Sequence, residues 1–217
     1  MKNKIIACEV MKQEILSMGL IKDVEFEFVS MDFHLYPKKL KVELQNIIDK
    51  STGYNKIILA FGLCGGASNG LKANDSSLVI PKVHDCISIF LCNGNKCVCD
   101  FKKERGTFYL SSGWMITEKS ILSDHKRVLE KYGEKKAFSI LKRMYDDYKK
   151  VLFIKTSPSS EDGVIAQSKE IAKLLDVKHE IIEGKTDFIE KIVKGPWDDK
   201  NFIKIAPGET LKEEHFW

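Results

Sequence analysis

Three cysteines in this chain end apolar runs that each read as a strand. KNKIIACE delivers Cys8 and Glu9. NKIILAFGLCGG delivers Cys64 into a glycine turn, and SLVIPKVHDC delivers His84, Asp85 and Cys86. Thiolates hold zinc at a Zn–S distance of about 2.3 Å, and a catalytic zinc keeps three protein ligands and an open fourth position. Three thiolates around zinc leave a net negative centre that can make a bound thiol nucleophilic or polarise a bound oxygen. The same three could hold an iron–sulfur cluster with one iron open, because clusters ordinarily take four cysteines. Residue types do not choose between zinc and iron–sulfur. Taken singly, each cysteine is equally what a packed core contains, since free cysteine is among the most buried residue types. It is the repeated placement at strand ends that makes Cys8, Cys64 and Cys86 candidate metal ligands.

The neighbours supply candidate catalytic groups. In an extended segment His84 and Cys86 share a face and Asp85 takes the other, which favours His84 over Asp85 as the partner of Cys86. His84 would be a fourth ligand or a base, or a histidine bonded to backbone. Glu9 could reach a substrate, although capping the following helix is its plainer role. Gly62, Gly65 and Gly66 allow close backbone approach to a ligand. They form neither GxGxxG nor a Walker loop, since no Gly-Lys-Ser/Thr follows. Ser111, Ser112 and Trp114 end another strand on the same expected rim, so Gly65, Gly66, Ser112 and Trp114 are the candidate substrate contacts. CNGNKCVC, with Cys92, Cys97 and Cys99, reads as a surface loop with incidental cysteines, an accessory metal site being the alternative. SPSSEDG offers amides to an anion or a simple helix cap. His34, His125, His179 and His215 carry no spacing signal.

These residues need strands to position them. Residues 4–8, 24–30 and 56–62 read as strands, with helices over 10–18 and from Pro37 to about Asp49 between them. Proline suits a first helical position, and Leu40, Leu44, Ile47 and Ile48 form that helix's apolar stripe. Residues 78–83 read as a further strand, where Pro81 suggests a sheet edge or a bend. Residues 87–91 fit a short helix or a strand equally. A long helical stretch, 117–149, breaks at Tyr132-Gly133. Strands at 149–156, 178–184 and 201–209 then alternate with helices at 164–175 and 186–194. The expected class is α/β, with two Rossmann-like β-α-β-α-β units and mainly parallel sheets, and the site at the carboxyl ends of the strands. The expected division is an N-terminal lobe, 1–116, and a helical connection with a second lobe, 117–217, or one compact domain.

The totals narrow the function classes. The net charge is +4, from 35 basic against 31 acidic residues, and the lysines are spread along helices, which argues against nucleic acid. No apolar run approaches the roughly 20 residues of a membrane span. The start of the chain lacks a secretory h-region. A cytoplasmic location is expected, where six cysteines are free, metal-bound or catalytic rather than paired as disulfides.

The combination of ACE, GLCG, LVIPKVHDCISIFL, GTFYLSSGW, EKYGEKKAF and KKVLFIKT resembles an uncharacterised domain family of anaerobic bacteria and methanogenic archaea. Its genes often lie near corrinoid-dependent methyltransferase systems. The resemblance maps Cys8, Glu9, Cys64, Gly65, His84, Asp85, Cys86, Gly113 and Trp114 onto recurrent family positions, and it departs at CNGNKCVC. It implies a metal site and an anaerobic setting, not a reaction. The resulting expectation is a zinc–thiolate enzyme of one-carbon, methyl or sulfur metabolism, of transferase or lyase type, acting on a small molecule. Two alternatives are an iron–sulfur enzyme and an accessory module for a corrinoid protein or methyltransferase. DxHxxG, the corrinoid-ligating signature, is absent.

Overall fold

The computed structural model describes residues 2–19, 21–92, 104–115, 121–156 and 162–217. In chain order the elements are β1 (Asn3–Cys8), α1 (Lys12–Ser17), β2 (Val24–Val29), α2 (Pro37–Lys50), β3 (Lys56–Ala60), β4 (Ser77–Pro81) and α3 (Cys86–Leu91). They continue with β5 (Thr107–Leu110), α4 (Ser112–Met115), α5 (Ile121–Tyr132), α6 (Glu134–Met144) and β6 (Lys150–Lys155). Then come α7 (Asp162–Leu175), β7 (Lys178–Glu183), α8 (Asp187–Lys194) and β8 (Phe202–Ile205). The fold is mixed α/β with mostly parallel strands. The apolar strands are buried on both faces, as parallel sheets require: Ile5, Ile6, Ile57, Ile58, Leu78 and Ile80 are all fully buried.

Two compact units divide the chain: Met1–Phe101 with Lys185–Trp217, and Lys102–Gly184. The first holds a five-stranded sheet of order β2-β1-β3-β4-β8. β1 pairs with β2 and β3 in parallel, and β3 with β4 likewise. β8 lies antiparallel against β4. The stripe on α2 is the buried face of that helix, Leu40, Leu44, Ile47 and Ile48, and α8 packs over β3 beside α1 and α3. The second unit holds the all-parallel sheet β5-β6-β7. Its core joins Leu110, Val151 and Phe153 to Ile171 and Leu175 of α7.

This division differs from a boundary after residue 116. TFYL, expected to close the first lobe, is β5 and pairs with β6. The last strand, expected to complete the second unit, returns to the first sheet, with Ile203 opposite Ile80 and Phe202 opposite Pro81. β4 is therefore flanked on both sides and is not an edge. Pro81 is tolerated because the ladder with β3 stops at Val79, so its missing N–H deprives no neighbour. The expected bend does follow: Val83 N donates back to Pro81 O at 2.9 Å. Residues 87–91 are helical, and Gly133 (φ +74°) separates α5 from α6.

Candidate thiolate site at the switch point of the first sheet

From β1 the chain moves outward to β2, then crosses back to β3 on the other side. That reversal is a topological switch point, where open α/β sheets bind ligands at their carboxyl ends. Cys8 is the last residue of β1 and precedes a 3-10 turn, Glu9–Met11, whose cap takes no side-chain bond, so its thiol is not used as a cap. Cys86 opens α3 after β4. Asp85 caps that helix, accepting from Ser88 N at 3.1 Å. Cys64 follows β3 in a turn.

The Cys64 turn is locked to the Cys86 loop by backbone. Leu63 N donates to Val83 O at 3.0 Å and Cys64 N to His84 O at 2.8 Å. Gly62 makes this approach possible: a β-carbon there would lie 2.6 Å from Asp85 N and Val83 O. Ser68 Oγ donates to Gly62 O at 2.6 Å and closes the turn. Cys64, Gly65 and Gly66 take φ values of +48°, +64° and +88° in succession. The left-handed region suits the glycines but is unfavourable for a cysteine. A non-glycine held there points to a functional constraint.

The three cysteines line one cavity. Cys86 interacts with the thiols of Cys64 and Cys8 and with His34 strongly enough to shift its titration. Cys86 is 2% exposed and Cys8 6%, while Cys64 is partly buried. Hydrogen bonds from Cys64 and then Cys8 hold the Cys86 thiol well below the usual thiol range, against the upward push of burial, and His34 adds to the lowering. Cys8 and Cys64 move the opposite way. Each is raised first by its bond to Cys86 and next by burial. Among the described residues, no three or more His, Cys, Asp or Glu stand as a ready metal shell.

A cavity of about 260 Å³ opens over these sulfurs, with Cys8, Cys64, Cys86 and His34 in its lining. Pro37, Leu40 and Phe61 form an apolar wall, and Ser30, Gly65 and Asp85 complete the rim. Gly65 sits against Pro37, whose Cγ a β-carbon would meet at 3.1 Å. The other expected residues fall elsewhere. His84 is exposed and packs on Trp217, ring centroids 4.6 Å apart. Of the two residues before Cys86, Asp85 lies in the cavity lining and His84 does not. The C-terminal tail causes the contact: Gly70 N donates to Leu211 O and Leu211 N to Leu71 O, which draws Trp217 over the loop. Glu9 is outside the cavity lining and accepts a long bond from Met31 N at 3.5 Å, tying the end of β1 to the turn after β2. Gly66 has open space around it. Ser112 and Trp114 belong to the second unit, where Ser112 is buried and Trp114 packs against the hydrophobic core. Cys92 is buried at the end of α3. Cys97, Cys99 and most of SPSSEDG lie outside the described residues.

His34 was not singled out by spacing. It stands on the 3-10 turn Met31–Leu35 after β2. The available signal was positional: β2 neighbours β1 in parallel, so the loop after β2 opens on the same rim as Cys8.

The fold and site define a mixed α/β protein with mostly parallel sheets and a cysteine-lined cleft at the switch point of the first. A family model described as Protein of unknown function (DUF1638) matches residues 28–193, and the chain belongs to that family. The match includes His34, Cys64 and Cys86 and begins after Cys8. No curated protein and no solved structure matches the chain.

Proposed function

We propose that this is a metal–thiolate protein in which Cys8, Cys64 and Cys86 hold a zinc ion, and that it is an enzyme of one-carbon or sulfur metabolism. The observation that carries this reading is that three cysteines, one ending β1 and two in the segments that follow β3 and β4, line one cavity. By type the donors suit the ion, since thiolates are common zinc ligands with Zn–S of about 2.3 Å, although no ready metal shell stands among the described residues. Cys86 interacts with both outer thiols, and Cys8 acts on Cys64 through charge. Loading therefore requires the outer sulfurs to draw together and release their protons. Bound there, zinc would lower the pKa of a substrate thiol and hold it as a nucleophile.

The chain's own part is to bind and orient. The wall of Pro37, Leu40 and Phe61 would receive the apolar body of a small substrate and keep water from the sulfurs. Asp85 and Ser30 supply polar contacts at the rim. An anaerobic, cytoplasmic setting and a corrinoid protein or methyltransferase as partner belong to the same proposal. Anaerobic purification followed by elemental analysis and a visible spectrum tests it. Colourless protein with bound zinc that is lost in Cys64→Ser supports it. Brown protein with acid-labile sulfide would replace zinc by an iron–sulfur cluster, and full metal content in Cys64→Ser would refute the site.

A further inference from the structure

We infer that His34 is the fourth ligand of the centre, so that each of the four parallel strands of the first sheet delivers one donor to it. This rests on the metal–thiolate reading above and adds to it the residue that fills the fourth position. β2 leads to His34, β1 ends on Cys8, β3 leads to Cys64 and β4 to Cys86, in the spatial order of the sheet. All four line the same cavity, and the imidazole acts on the Cys86 thiol, helping to lower it. Imidazole nitrogen and thiolate sulfur together make one of the common zinc donor sets, three cysteines and a histidine. His84, the other histidine beside the cysteines in sequence, is committed to Trp217 and is not part of the lining.

The turn that carries His34 is held in place. Ser30 Oγ accepts from Asp32 N at 3.2 Å at its start. Glu9 Oε2 accepts from Met31 N, so the residue next to one thiol ligand anchors the turn bearing the imidazole. Pro37 follows at the first position of α2. His34 is exposed while Cys8 and Cys86 are buried. It thus approaches the sulfurs from the solvent side and can be displaced by an incoming ligand without moving the three thiolates.

X-ray absorption at the zinc edge of the zinc-loaded full chain, with His34→Gln beside the wild type, tests this. The wild type is expected to show three sulfurs and one nitrogen with the outer-shell scattering of an imidazole ring. His34→Gln is expected to keep three sulfurs, lose the ring signal and bind zinc roughly tenfold or more weakly. Three sulfurs and a light atom without ring scattering in the wild type, with His34→Gln unchanged, would overturn the role of His34 and leave the thiolate site standing. A wild-type chain that takes up no zinc would overturn both. Far-ultraviolet circular dichroism of the metal-free variant separates a lost ligand from a lost fold.

Discussion

Gly62 passes so close to Asp85 that a β-carbon on the glycine would stand 2.6 Å from the Asp85 backbone nitrogen. This contact brings the turn carrying Cys64 against the loop carrying Cys86, and the bonds from Leu63 and Cys64 to Val83 and His84 follow from it. The atoms in the way are backbone and cannot rotate aside. Gly62→Ala is therefore expected to cost about 1–3 kcal/mol through overpacking and to weaken metal uptake as the two loops part. Gly163→Ala is the control: this glycine lies in α7 with nothing within 4 Å of the added carbon. It should be neutral or stabilising by about 0.4–1 kcal/mol. Urea unfolding of the two variants checks both signs.

Cys64 holds a left-handed backbone, φ +48°, that a glycine would adopt without penalty. In metal-free protein, Cys64→Gly should be more stable than Cys64→Ala by roughly 1–2 kcal/mol. Neither variant should retain the metal. Paired urea midpoints measure the strain directly, and equal midpoints would mean that the backbone at Cys64 is unstrained.

The thiol set predicts an unusual titration. Cys86 is lowered and Cys8 and Cys64 are raised. In metal-free, reduced protein, thiolate absorbance should show the Cys86 ionisation below the ordinary thiol range of about 8.5 and those of Cys8 and Cys64 above it. The stability signs follow by linkage. The contribution of Cys86 is complete above the unfolded thiol pKa and is lost as pH falls through its lowered value. Those of Cys8 and Cys64 are complete below the unfolded pKa and are lost as pH rises through their raised values. Cys86→Ser should abolish the low step and return the remaining thiols toward the ordinary range.

Asp85 has a structural task that can be separated from a chemical one. Its carboxylate caps α3 through Ser88 N. Asp85→Ala should cost about 0.5–2 kcal/mol, and Asp85→Asn, which keeps an acceptor, much less. If Asp85→Asn keeps stability and metal but loses substrate binding, Asp85 acts on the ligand. If it loses nothing, Asp85 is only a cap.

Local pattern carried most of the elements. The stripe of Leu40, Leu44, Ile47 and Ile48 is the buried face of α2, and the glycine at 133 divides two helices. The strand ending at Cys8 and the strands leading to Cys64 and Cys86 were legible because each is a continuous apolar run. Pairing was not legible. Nothing in NFIKI says that it lies antiparallel to β4 rather than beside β7. The placement of the two histidines was not legible for a related reason. His84 adjoins Cys86 in sequence, but the tail ending in Trp217 draws it outward. His34 is distant in sequence and is brought in by the parallel pairing of β2 with β1. Contacts made through a sheet register leave no trace in spacing.

The most direct measurement is the metal content of anaerobically purified wild type, Cys8→Ser, Cys64→Ser and Cys86→Ser, with circular dichroism to confirm that each variant is folded. One zinc ion per chain in the wild type, lost from each folded variant, is the predicted result. Wild-type levels of metal in any of the three folded variants, or a wild-type chain that binds no metal under reducing conditions, would contradict it.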